Sequence, residues 1–257
     1  MECCRELYIF AHIPGAVHIS ESLLRLPLRG HPGRYAPIDA AQSILRCLGL
    51  KHDVPAVIYT GTGAFKGPGD GVEQMVAAYS LARFGHESVY LLDGGLDKWK
   101  EEKRPLSKLI PTVEESDFRA LIKRDYFLEH EELKAMKDRD DAILLDTRPP
   151  VVYEGQGLNI KPGHIPGAVN LPWQRLMDGK NRSLLRPYAE IKAILDAAGI
   201  SPEKTVICSC GTGRGATCLF LILRSYLGYP NVKIYEGSFL EWCSYPENPT
   251  VTGKRPR

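Results

Sequence analysis

The residues best suited to chemistry lie in one short stretch, Cys210-Gly211-Thr212-Gly213-Arg214-Gly215. Three glycines in six residues let a backbone curl so that several N–H groups point at one centre. Such a cup favours an anion. The helix predicted to follow it adds a partial positive charge at its N-terminus, and Arg214 can add a full positive charge. A cysteine at the edge of the cup is favoured as the thiolate, the best nucleophile among side chains. The stretch therefore predicts a nucleophilic Cys210 beside an anion site.

The other cysteines suggest neither disulfides nor a metal site. The chain has seven cysteines, an odd number, and Cys208-Ser209-Cys210 is not a CxxC pair. We therefore expect no metal and a reducing compartment, cytoplasmic, with a mitochondrial location left open. The cysteines expected to be small core residues are Cys47, Cys208, Cys218 and Cys243.

The chain repeats itself. The segment His12–Val17 recurs unchanged as His164–Val169, and Gly61–Gly63 recurs as Gly211–Gly213. Later landmarks recur at a shorter offset, so the first copy holds extra residues within or near 64–71. Matching landmarks in the same order indicate a duplication.

Each copy shows the pattern of a parallel α/β sheet, with a short apolar strand, a glycine-rich turn, a buried helix and another strand. In the second copy these are Val206–Cys208, the Cys210 turn, Ala216–Leu227 and Val232–Tyr235. The corresponding segments of the first copy are Ala56–Tyr59, Val72–Phe84 and Val89–Leu92.

The first copy is shorter at its beginning. A helix (about 129–137) and a strand (142–145) precede the His-Ile-Pro-Gly motif in the second copy, whereas only eleven residues precede His12. Either Leu7–Phe10 replaces that strand alone, or the chain is truncated or alternatively started. The sequence leaves open whether Met1 is the natural start.

The length of 257 residues suits two domains, predicted at 1–105 and 113–250. The linker is expected between 101 and about 112, although Phe118–Leu121 could open the second domain. The net charge of +2, spread along the chain, gives no footprint for nucleic-acid binding, and we predict none. No apolar run approaches the ~20 residues of a membrane span, so no membrane association is expected.

The two copies differ where the chemistry is expected. Thr60 stands where the second copy has Cys210, which predicts one working site and one supporting domain. His12 and His164 occur in both copies and are therefore expected to be structural rather than catalytic. Trp99 and Trp242 are expected to pack in the core.

The second copy also has an acid–base pair at a strand end. Asp146 and Arg148 follow the strand 142–145, near the predicted cup. They either brace the loop through an ion pair or form a plain surface pair.

Taken together, these residues resemble the rhodanese family in its tandem form, with an inactive first domain and an active second. The motifs that carry the resemblance are Asp146-Thr147-Arg148, Gly163–Ala168, the Cys210 loop and Tyr235–Trp242. The resemblance covers nearly the whole chain. It implies an α/β fold of two rhodanese-like domains, the first incomplete at its N-terminal end, each a small parallel sheet flanked by helices.

The resemblance also implies a mechanism. Cys210 takes the outer sulfur of a donor such as thiosulfate, and the loop from Gly211 to Gly215 holds the persulfide. Cyanide, a small thiol or a thioredoxin-like protein then accepts the sulfur, without an organic cofactor. The six-residue loop differs from that of related phosphatases, in which five residues separate cysteine and arginine.

The donor and the class of function stay open at this point. Gly211–Gly213 is similar to 3-mercaptopyruvate enzymes, but Arg214 is not, and Val151–Tyr153 lacks the arginines that bind that substrate's carboxylate. Thiosulfate is therefore the predicted donor, with 3-mercaptopyruvate as the alternative. A non-catalytic persulfide relay or binding module, or a structural pseudoenzyme, is a further alternative.

Overall fold

The computed structural model describes residues 1, 5–28, 31–61, 71–157 and 160–256. The chain divides into two compact units. Unit 1 contains Met1–Leu26, Tyr35–Arg124 and Met177–Leu185, and unit 2 contains Pro27–Arg34, Asp125–Leu176 and Arg186–Arg257. The predicted domain limits of 1–105 and 113–250 stay a prediction. Within the described residues, no helix is both long enough and apolar enough to span a membrane.

Helices and short strands alternate along the chain. The elements up to residue 101 are α1 (Arg5–Phe10), β1 (Arg25–Leu28), β2 (His31–Tyr35), α2 (Ile38–Cys47), β3 (Ala56–Ile58), α3 (Val72–Arg83), β4 (Val89–Leu91) and α4 (Gly95–Glu101). The later elements are β5 (Phe127–Leu128), α5 (His130–Met136), β6 (Ala142–Asp146), α6 (Pro150–Tyr153), β7 (Val169–Asn170), α7 (Tyr188–Ala197), β8 (Thr205–Ser209), α8 (Ala216–Leu221), β9 (Val232–Tyr235) and α9 (Ser238–Ser244).

Unit 2 is built on a parallel sheet, as the sequence predicts. Its strand order is β5-β9-β8-β6-β7, and every neighbouring pair is parallel. The central strand β8 is apolar and buried along nearly its whole length, as is typical of a strand covered on both faces. Because α8 follows β8 after a six-residue loop, the loop lies at the carboxyl end of the sheet, where α/β folds bind ligands.

One face of this sheet packs against α5 and α9. Leu144 and Ile207 on the strands, Leu133 on α5, and Phe239 and Trp242 on α9 belong to one buried cluster. The helix predicted for residues 216–227 begins as α8 and continues as a π-helix over Ile222–Tyr226. The sequence pattern predicts the helical stretch but not its change of winding.

Unit 1 repeats part of this arrangement. Strands β3 and β4 are parallel, and they correspond to β8 and β9. The prediction that Leu7–Phe10 could form the missing strand is wrong, because these residues belong to α1. Met1 lies beside β3 instead, where its amino group donates to the Val57 carbonyl and its carbonyl accepts from the Tyr59 N–H.

The segment after α4 belongs to unit 1. Phe118 is fully buried, Ala120 N–H donates to the Gln42 side chain, and Leu121 N–H donates to the Phe84 carbonyl. Phe118–Leu121 therefore does not open the second unit, although the apolar side chain of Phe118 made that alternative reasonable from sequence.

The repeated histidines are buried and bonded to the backbone. Nδ1 and Nε2 of His12 contact the carbonyls of Tyr8 and Leu109, and those of His164 contact the carbonyls of Tyr153 and Arg255. These contacts match the structural role that the duplication predicts.

Two expectations about core residues are wrong. Cys47 is exposed near the end of α2, and Trp99 is only half-buried, with Nε1 donating to the Pro105 carbonyl. Trp242 is buried as predicted. Residue type and a place in the repeat do not distinguish a core position from one near the edge of a small unit.

Candidate active site

Cys210 lies at the floor of the loop that joins β8 to α8. Only 5% of its surface is exposed, whereas Gly211, Thr212 and Arg214 are partly exposed. Most of the solvent around Cys210 is therefore excluded, while the residues that follow it stay in contact with solvent.

The start of the loop is bonded to α9 through two of its carbonyls. The carbonyls of Cys210 and Gly211 accept hydrogen bonds from the N–H groups of Phe239 and Leu240 on α9, at 2.9 and 3.0 Å. In a trans peptide the next N–H points away from the carbonyl, so those of Gly211 and Thr212 face away from α9. The anion cup that the glycine spacing predicts stays a prediction.

Glycine is required at one position of the turn. Gly213 has a φ of 81°, in the left-handed region that side chains disfavour. The chain then re-enters a helical conformation, and the Thr217 hydroxyl donates to the Arg214 carbonyl at 2.8 Å. Hydrogen bonds thus hold the start of the loop to α9 and its end to α8.

Ser238 is a site residue that the sequence reasoning did not single out. Its Oγ accepts the Cys210 N–H at 3.0 Å, lies 4.0 Å from the Cys210 Sγ, and is 2.9 Å from the Tyr235 carbonyl, to which it can donate. Ser238 is fully buried and has a φ of 53°, which is unusual for a residue other than glycine. It lies inside the motif Tyr235–Trp242, but residue type and spacing gave no sign that it touches the cysteine.

The Asp146–Arg148 pair braces the loop from the side of α9. Nε and Nη2 of Arg148 bond both carboxylate oxygens of Asp146 at 2.6–3.0 Å, and Nη2 also donates to the Gly163 carbonyl. The guanidinium lies 3.9 Å from the centre of the Phe239 ring, and Phe239 N–H bonds Cys210. Of the two alternatives, the structure favours the brace, because both partners are more than nine-tenths buried.

Two other thiols of unit 2 are poor candidates for the nucleophile. Burial raises the pKa of the Cys208 thiol and that of the Cys243 thiol. Tyr153 is also unsuited to proton transfer, since burial and the charge of Asp146 raise its pKa to about 12 and its hydroxyl donates to the Ala168 carbonyl.

The corresponding position of unit 1 has no thiol. Thr60 is fully buried, and its N–H donates to the Gln74 side chain at 3.2 Å. The predicted extra loop, residues 64–71, lies outside the described residues except for Gly71. Within the described residues, no group of three or more His, Cys, Asp and Glu side chains could hold a metal ion.

The two ends of the Cys210 loop should differ in their tolerance of a methyl group. A Cβ on Gly215 would lie 3.1 Å from Thr147 Oγ1 and 3.2 Å from Trp173 Cδ1, whereas a Cβ on Gly211 would meet only Arg148 Cδ, at 3.9 Å. We expect Gly215→Ala to lower the free energy of unfolding by about 1–3 kcal/mol, because a closely packed site must shift. Gly211→Ala is the matched control and should change it by less than about 1 kcal/mol. Urea unfolding of both variants would measure this difference, and equal losses would contradict the close approach at Gly215.

Comparisons with known proteins agree with this architecture. Residues 5–102 and 129–245 each match the family model of the rhodanese-like domain. The thiosulfate sulfurtransferase of Azotobacter vinelandii is 31% identical over 94% of this chain and 86% of its own length. The 3-mercaptopyruvate sulfurtransferase of Escherichia coli K12 is 29% identical over 94% of this chain and 84% of its own.

A solved structure has the same fold over nearly the whole chain. The anaerobic ergothioneine biosynthesis enzyme from Chlorobium limicola, in complex with trimethyl histidine, superposes with a TM-score of 0.84 at 26% identity. The match covers 98% of this chain but only 63% of that longer one.

Proposed function

The chain belongs to the rhodanese-like family of sulfurtransferases, and we propose that it moves the outer sulfur of thiosulfate to a thiophilic acceptor through a persulfide on Cys210. The observation that carries this proposal is the position of Cys210, which is 5% exposed and begins the glycine-rich loop at the carboxyl end of the parallel sheet. Such a loop stabilises the anionic sulfur species of both half-reactions.

The first half-reaction forms the persulfide. The Cys210 thiolate attacks the outer sulfur of thiosulfate, a new S–S bond forms, and the bond to the sulfonate sulfur breaks. Sulfite leaves with the electron pair of that bond, so the outer sulfur remains on Cys210 as an anion. Charge is conserved, since a thiolate and a dianion give an anionic persulfide and sulfite.

The second half-reaction regenerates the thiolate. Cyanide or a small thiol, or a thiol of a thioredoxin-like protein, attacks the outer sulfur, and the electron pair of the S–S bond returns to Cys210. Neither half-reaction needs a metal or an organic cofactor. The 5% exposure of Cys210 suits small acceptors, or one protruding side chain of a protein.

We propose thiosulfate as the donor, ahead of 3-mercaptopyruvate, because of the residues that follow Arg148. Val151 is about half exposed and apolar, while the hydroxyl of Tyr153 is already bonded to the Ala168 carbonyl. These residues offer no cation for a carboxylate. The second candidate, 3-mercaptopyruvate, is favoured by Gly211–Gly213 and by the Escherichia coli relative.

The choice of donor is tested by thiocyanate formation from cyanide. With each donor at the same concentration, we expect turnover with thiosulfate to exceed that with 3-mercaptopyruvate. The reverse order would support the second candidate. If the protein is inert toward both donors although Cys210 is still readily alkylated, the proposal of an enzyme is overturned and a persulfide relay is supported.

A further inference from the structure

We propose that the hydroxyl of Thr147 donates a hydrogen bond to the outer sulfur of the Cys210 persulfide, an inference that rests on the proposed function. Thr147 thus stabilises the sulfur-loaded form of the protein relative to the resting thiol. It lies between the two residues of the Asp146–Arg148 pair and takes no part in that ion pair.

The register of the sheet sets Thr147 beside Cys210. Strands β6 and β8 pair Leu145 with Cys208 and Asp146 with Ser209. The Thr147 N–H donates to the Ser209 carbonyl at 2.9 Å, which is the last hydrogen bond of this ladder. Thr147 and Cys210 are the next residues along the two chains, each one position beyond the end of its strand. Neighbouring strands lie about 4.8 Å apart, so the two residues leave the sheet side by side.

The side chain of Thr147 points toward the loop. Side chains alternate between the faces of a strand, and Arg148 lies on the face of α9, over the Phe239 ring. Thr147 occupies the opposite face, where its Oγ1 lies 3.1 Å from the place of a Cβ on Gly215, the last residue of the loop. Only 1% of Thr147 is exposed.

The hydroxyl has no hydrogen-bond partner among the residues that the structure describes. A buried hydroxyl without a partner is costly, and valine would fill the same space without that cost. The resting thiol does not satisfy the hydroxyl, since no hydrogen bond joins Thr147 to the Cys210 Sγ. A persulfide adds a sulfur atom about 2.05 Å beyond Sγ, and that atom is an anionic acceptor. The loaded state thus supplies the partner that the resting state lacks.

The test compares sulfur loading in three proteins: the wild type, Thr147→Val and Thr147→Ser. Each is mixed with thiosulfate and sulfite at a fixed ratio, and mass spectrometry measures the ratio of persulfide to thiol. We expect Thr147→Val to lower that ratio roughly tenfold, as loss of a hydrogen bond to a charged group would. Thr147→Ser, which keeps the hydroxyl, should stay close to the wild type.

Thermal unfolding separates this role from a structural one. Thr147→Val should melt no lower than the wild type, since it removes an unpaired buried hydroxyl. Equal loading of Thr147→Val and wild type would overturn the inference. A lowered ratio of persulfide to thiol would also overturn it if Thr147→Val melted clearly below the wild type, because the loss would then be structural.

Loading with inorganic polysulfide keeps the test independent of the donor. The thiolate attacks a terminal sulfur, and the shortened polysulfide leaves with the electron pair. If thiosulfate fails with the wild type but polysulfide loads it, the proposed donor falls and the persulfide lifetimes of the three proteins still test Thr147. If neither reagent loads the wild type, both the proposed function and this inference fall.

Discussion

Replacing Cys210 by serine is expected to lower thiocyanate formation from thiosulfate and cyanide at least about a thousandfold. Serine keeps the size of the side chain and the bond from the residue 210 N–H to Ser238 Oγ. A hydroxyl, however, is protonated at neutral pH and cannot carry a transferable sulfane sulfur. The loop, the brace and the fold stay in place, so the loss reports on the sulfur itself.

Cys47→Ser is the matched control. Cys47 is an exposed thiol in unit 1, and its replacement should leave the rate unchanged. Mass spectrometry after treatment with thiosulfate should show one added sulfur in the wild type and Cys47→Ser but none in Cys210→Ser. Substantial turnover by Cys210→Ser would show that another thiol or another mechanism carries the sulfur.

The second large effect is on stability. Asp146→Asn should lower the free energy of unfolding of unit 2 by about 3–5 kcal/mol, because Arg148 would keep a buried charge without its counterion. The pair is 3% and 6% exposed, so water cannot take over the role of the carboxylate. Tryptophan fluorescence is a suitable probe, since Trp173 and Trp242 lie in the same unit as the pair.

Asp141→Asn provides the control, because Arg139 and Asp141 form an ion pair with the same two-residue spacing. Both side chains of that pair are 59% exposed. Solvent and salt screen such a pair, so its loss should leave the unfolding midpoint nearly unchanged. If the two variants unfold alike, the Asp146–Arg148 pair is not the buried brace described here.

The sequence predicted those parts of the fold that depend on local patterns. Apolar runs placed β8 and β9 within a residue or two, and the duplication revealed two copies of one unit. The glycine spacing predicted a tight turn after Cys210, and Gly213 has the left-handed φ that such a turn needs. These features require only neighbouring residues, so a single sequence contains them.

Features that depend on distant contacts were missed. Ser238 lies 28 residues beyond Cys210 and reaches it only because β8 and β9 are adjacent. Thr147 acquires its position from the register of β6 against β8, which no local pattern gives. The predictions of a strand at Leu7–Phe10 and of a buried Cys47 were wrong for the same reason, since tertiary surroundings decide both.

The backbone of Ser238 sets a limit on how this protein can be engineered. A left-handed φ costs a residue with a Cβ about 1–2 kcal/mol, so Ser238→Gly would relieve that strain. It would also remove the oxygen that holds the Cys210 N–H. A search for heat-resistant variants that scores only thermal tolerance would therefore favour a better-folded protein in which the Cys210 loop has lost one of its hydrogen bonds. Directed evolution of this chain should keep turnover in the screen from its first round.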